Sequence, residues 1–131
     1  MTEYGIAVTL PIDFAVAVER TRAALAEQGF GVLTEIDVAA TMKAKLDADL
    51  PPYLILGACN PPLAHQALDA DRDIGLLLPC NVVVRADGPD ACLVQALDPQ
   101  TMVQITGRPE LKPVADDAAG RLRAALTKLS S

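Results

Sequence analysis

Tryptophan is absent from these 131 residues, and the other aromatics amount to two phenylalanines and two tyrosines. Stacking on nucleic-acid bases needs such rings, and gripping phosphates needs a basic patch. No Lys/Arg cluster occurs, and 11 basic against 17 acidic side chains leave a net charge of −6. Nucleic acid is therefore excluded as a partner. No stretch approaches the roughly 18 consecutive apolar residues of a membrane span, so a membrane partner is excluded too. Met1-Thr2-Glu3-Tyr4 has neither a basic start nor an apolar run of signal-peptide length. Three cysteines is an odd number for a disulfide framework. A cytoplasmic protein with free thiols is the expectation.

Familiar catalytic signatures are missing as well. Neither GxGxxG nor the GxxxxGK phosphate loop occurs, and there is no GxSxG serine elbow. Asp69, Asp71 and Asp73 alternate, but no glycine turn or terminal glutamate completes a calcium loop, so they read as a solvated face. No cofactor is specified by any of these patterns, and no metal site is assigned.

What is present is a chain rich enough in apolar residues, 51%, to bury a core without staples. Residues 1–131 read as a single α+β domain. Tyr4, Ile6, Val8 and Leu10 alternate as a strand. Asp13 caps a helix carrying Phe14, Ala17, Val18, Thr21 and Leu25, which Gly29 ends. Val32, Thr34, Ile36 and Val38 alternate again, and Asp37 caps a short helix. Residues 53–59 are apolar almost throughout, as in a central strand buried on both faces. Asn60-Pro61 reads as N-cap and first helical residue. Strands at 80–86 and about 91–97 flank the turn Asp87-Gly88-Pro89-Asp90. A short helical segment follows Asp98-Pro99. Leu111, Val114, Ala115, Ala118, Leu122, Ala125, Leu126 and Leu129 then form the stripe of a last helix. The order predicts a mainly antiparallel five-stranded sheet, with two long helices on one face and short helical connectors.

Two Cys-Asn pairs stand at strand ends, where a rigid scaffold presents groups to ligands. Cys59-Asn60 closes Leu54–Ala58 and precedes Pro61-Pro62; Cys80-Asn81 follows Pro79 and opens Val82–Val84. Cys59 sits just ahead of a helix N-terminus, where unpaired N–H groups favour an anion and lower a thiol pKa. It is equally readable as a small buried hydrophobe. Asn60 reads as a cap. Asn81 is disfavoured inside a strand and either bonds nearby backbone or faces a cavity. His65, the one histidine, lies on the helix after Asn60. It joins Cys59 and Cys80 as a conceivable metal ligand, but the spacing matches no standard zinc pattern. A solvated histidine is the simpler reading. Cys92 reads as core. The candidate ligand-binding residues are therefore Cys59, Asn60, His65, Cys80 and Asn81.

Gly29–Val38, Leu56-Gly57-Ala58-Cys59-Asn60-Pro61 and Gly75-Leu76-Leu77-Leu78-Pro79-Cys80-Asn81-Val82 resemble the family called domain of unknown function 302. The blocks fall in the expected order across nearly the whole chain. The resemblance implies a compact α+β domain, an antiparallel sheet and a homodimer; it supplies no activity and no catalytic residues. Relatives that keep the proline and apolar framework with other residues in place of the cysteines argue against a thiol mechanism common to the family. A homodimer also fits the mean hydropathy of +0.28. Leu76, Leu77 and Leu78 cannot all face one core from a short connector, so at least one is expected on a partner.

Three functions are open. The leading one is a binding module for a small molecule, or a soft metal ion, near the Cys-Asn blocks. The second is a thiol enzyme or redox protein using Cys59 with Cys80. The third is a structural or interaction module with core cysteines. Strand order bears on all three. Antiparallel neighbours would put the two cysteine Cα atoms within roughly 5–10 Å, whereas a parallel crossover would put them roughly 20 Å apart. The resemblance and the hairpin after the fourth strand favour the antiparallel arrangement.

Overall fold

The computed structural model describes residues 2–131. Period-two patterns become strands β1 (Gly5–Leu10), β2 (Gly31–Asp37), β3 (Tyr53–Cys59), β4 (Cys80–Ala86) and β5 (Cys92–Leu97). Period-3.6 patterns become helices α1 (Phe14–Glu27), α2 (Val38–Leu46), α3 (Pro61–Ala70), α4 (Gln100–Thr106) and α5 (Lys112–Leu129). The expected caps are in place. Asp13 accepts from the Val16 N–H and Asp37 from the Ala40 N–H. Gly107, at φ 68°, ends α4 in the left-handed region that glycine enters without cost.

All four strand pairings are antiparallel, in the order β1-β5-β4-β3-β2. Strands β2 to β5 form a meander, and β1 adds at the far side of β5. Because β1 and β2 occupy opposite edges, α1 spans the sheet between them. The sheet therefore has one helix-covered face and one open face, as alternation along each strand requires. Leu54, Leu56, Val82, Val84, Val94 and Ala96 point to the covered face and are buried against α1 and α5. Tyr53, Ile55, Val83, Arg85, Leu93, Gln95 and Leu97 alternate with them on the other. The expectation that β3 is buried on both faces is corrected here: Leu54, Leu56 and Ala58 are buried, but Tyr53 and Ile55 are only half-buried.

A second apolar cluster lies off the sheet: Leu63 of α3, Met102 of α4, and Val114 and Ala118 of α5, joined by Ile74 and Leu111 from the short 3-10 helices Arg72–Leu77 and Pro109–Leu111. All eight members of the predicted last-helix stripe are buried. Leu122, Ala125, Leu126 and Leu129 serve the sheet core, and Leu111, Val114, Ala115 and Ala118 serve the second. Of the three successive leucines, Leu77 and Leu78 pack on the second cluster, while Leu76 is 88% exposed.

One acidic residue departs from expectation. Asp71 is not on a solvated face. Its side chain is only 8% exposed, pairs with Arg108 at 3.3 Å and accepts from the Asp73 N–H. Burial is tolerated because the charge is met by a guanidinium and an amide. No helix is long and apolar enough to cross a membrane among the described residues.

Candidate functional site

The pairing of β3 with β4 sets Ala58 opposite Cys80. Cys59 is thus one residue from Cys80's cross-strand partner. Strand spacing then puts the two cysteine Cα atoms about 6 Å apart, in keeping with the antiparallel expectation. Both thiols are free. Successive residues of a strand leave on opposite faces, so Cys59 departs β3 on the side opposite Ala58, whose face Cys80 shares. The Cβ directions diverge, which is poor geometry for a disulfide despite the short separation.

Both cysteines border one cavity of about 320 Å³ at this end of the sheet. α3, α4 and α5 contribute Leu63, Met102 and Val114, and the approach to β2 contributes Phe30. The lining is overwhelmingly apolar. Leu33 stands at the cavity because β2 is bulged there: the register slips between Val32 and Thr34, leaving Leu33 unpaired and 68% exposed. Burial pushes the Cys80 thiol above its usual pKa, and the neighbouring Cys59 pushes it further. Cys80 is therefore a neutral thiol at neutral pH, able to donate a weak hydrogen bond and suited to apolar company.

Asn60 also borders the cavity, but its amide is engaged. Its Oδ1 accepts from the Leu63 N–H at 3.3 Å, capping α3, and its Nδ2 donates to the Gln28 carbonyl at 3.4 Å. The same carbonyl accepts from Arg121 at 3.1 Å. Asn60 thus ties the start of α3 to the end of α1.

The remaining candidates lie elsewhere. His65 is on the outer side of α3, largely exposed and 3.6 Å from Asp69. It does not meet the cysteines, and the three do not assemble as metal ligands. Among the described residues no group of three His, Cys, Asp or Glu side chains could hold a metal ion. Asn81 is exposed on the open sheet face, where it borders a separate groove with Tyr53 and Arg85. Cys92 is core, 2% exposed.

Sequence reasoning did not find Phe30, Leu33, Met102 and Val114 as site residues. Met102 and Val114 carry an apolar-stripe signal, and nothing in their spacing distinguishes a cavity wall from packed core. Arg85 gave no signal of any kind.

Comparison with known proteins supports this frame. A family model, Domain of unknown function DUF302, matches residues 6–129. The chain belongs to this family. A solved DUF302 structure, described as an uncharacterized conserved protein from Bacillus stearothermophilus, superposes with a TM-score of 0.89 at 29% identity. The alignment covers 97% of this chain and 98% of that one. No curated protein shows significant similarity. DUF302 membership thus establishes the fold and carries no activity with it.

Proposed function

We propose that this DUF302 chain is a cytoplasmic binding module that takes a small, largely apolar molecule into the cavity bordered by Cys59 and Cys80. The observation that carries the reading is the convergence of Cys59, Asn60 and Cys80 on one cavity of about 320 Å³, within the range that encloses small ligands. Apolar walls supply affinity through burial, about 25 cal/mol per Å² of apolar surface removed from water. The two sulfurs add polarisable contacts, and the Cys80 thiol adds one directional donor.

Indole is a suitable probe, since it is compact and apolar and its single N–H can donate to a cysteine sulfur, a weak acceptor. Thermal-shift and calorimetric titration with indole should show saturable stabilisation. Ala64, which borders the cavity from α3, offers the control: Ala64→Phe fills the space and should abolish binding. Equal binding of indole by Ala64→Phe would sink the assignment.

The thiol-enzyme reading is weaker on physical grounds. Burial disfavours the Cys80 thiolate, and diverging Cβ directions disfavour Cys80 as a resolving partner for Cys59.

A further inference from the structure

A second site lies on the opposite face of the sheet. A groove of about 560 Å³ runs across β4 and β5 beneath the segment that leads into β3. Tyr4, Leu50, Pro52 and Tyr53 border it, and Val83 and Leu97 add apolar floor. In this setting stands a single charged side chain, Arg85. Its Nε donates to Gln95 Oε1 at 3.4 Å, across the β4–β5 pair, which holds the guanidinium plane and leaves its outer N–H groups unspent.

No aspartate or glutamate borders the groove. That is unexpected in a chain with 17 acidic residues and a net charge of −6. Elsewhere Arg22, Arg108, Arg121 and Arg123 each meet a carboxylate, and Arg20 and Arg72, which meet none, are exposed. Among the described residues Arg85 meets none, although it is half-buried. A partly desolvated guanidinium fork is matched by a carboxylate or a phosphate engaged through two parallel N–H···O bonds, and of the two a carboxylate carries the single charge that one arginine balances. The apolar and tyrosine borders complement a flat hydrocarbon body. With one cation and no lysine at the groove, the charge matched is a single negative one.

We infer that this groove binds a small monocarboxylate with an aromatic or otherwise apolar body, its carboxylate on Arg85 and its body over the apolar floor at Val83. The site is distinct from the cysteine cavity in position, charge and ligand class.

Benzoate is the probe, with benzyl alcohol as its uncharged counterpart, in NMR titrations of the full chain. Benzoate should give saturable shifts at the Arg85 Nε–H and at the amides of Tyr53, Val83 and Leu97. Benzyl alcohol should bind at least about tenfold more weakly, the loss expected when a charge-assisted hydrogen bond is missing. Arg85→Gln should lose about tenfold or more for benzoate and change little for benzyl alcohol. Arg85→Lys, which keeps the charge without the fork, should fall between and serves if Arg85→Gln does not fold. Ala64→Phe should leave benzoate binding intact, separating this site from the cavity. Unaltered benzoate affinity in Arg85→Gln, or in Arg85→Lys where Arg85→Gln does not fold, would overturn the assignment. So would shifts mapping away from the groove, or a dimer that covers this face and gives no benzoate response.

Discussion

Gly57 illustrates how a single residue is chosen by its neighbours. It faces the open side of β3 between Thr34 and the Pro79 ring. A Cβ built there would lie 2.9 Å from Pro79 Cγ and closer still to Thr34 Oγ1. Both neighbours are stiff, one β-branched and one cyclic. Gly57→Ala should therefore destabilise the fold by about 1–3 kcal/mol in denaturant unfolding, and Thr34→Ala should restore part of the loss. Cys80 makes a second prediction at this scale. Its raised pKa comes first from burial and then from Cys59. A raised acid pKa means less thiolate at neutral pH, so alkylation of Cys80 by iodoacetamide, followed by peptide mass spectrometry, should be slow at pH 7. The rate should climb only above the usual thiol range. Cys59→Ser removes the second cause and should move that rise to lower pH; an unchanged profile would show that burial alone sets it.

Among the elements, α3 depends most on one side chain. Asn60 caps it and also donates to the Gln28 carbonyl at the end of α1. Its Ala replacement leaves the Leu63 N–H without its partner in a buried setting. Asn60→Ala should cost about 1–2 kcal/mol, measured by chemical denaturation, and should loosen amide-exchange protection in the first turn of α3. β2 is the contrasting element. It is an edge strand, bulged at Leu33 and exposed along most of its length. A bulge twists an edge away from further pairing, and it also delivers Leu33 to the cavity.

For the whole molecule, the sheet core and the second cluster are joined through α5. Leu122 is fully buried in the sheet core, so Leu122→Ala should cost about 2–5 kcal/mol by its cavity and lost transfer energy. A homodimer remains our proposal for the assembly, with Leu76 as the motive. Two leucines of its triplet turn inward, and the third is left 88% exposed, a contact suited to an isologous interface. Sedimentation at micromolar concentration should show a dimer, with Leu76→Asp shifted toward monomer. A wild-type chain that sediments only as monomer contradicts the proposal.

The amino-acid sequence by itself determined the elements. Strands β3 and β4 run from Tyr53 to Cys59 and from Cys80 to Ala86, as their apolar runs and flanking prolines indicate. The caps at Asp13, Asp37 and Asn60 and the stripe of α5 were legible for the same reason: each depends on contacts within a few residues. Strand order was not local. A connection of about 20 residues between β3 and β4 permits either direction, and only the packing of the sheet against α1 and α5 selected the antiparallel one. The cavity was decided later still. Phe30, Met102 and Val114 reach the cavity of Cys59 and Cys80 only once the sheet and the helices α3, α4 and α5 are docked, and the same docking left His65 on the outside and Asn81 on the far face. Arg85 became notable only when alternation placed it on an open face from which every carboxylate is absent among the groove's borders. Periodicity decides which side chains share a face; which faces then meet depends on burying apolar area across contacts far apart in the chain.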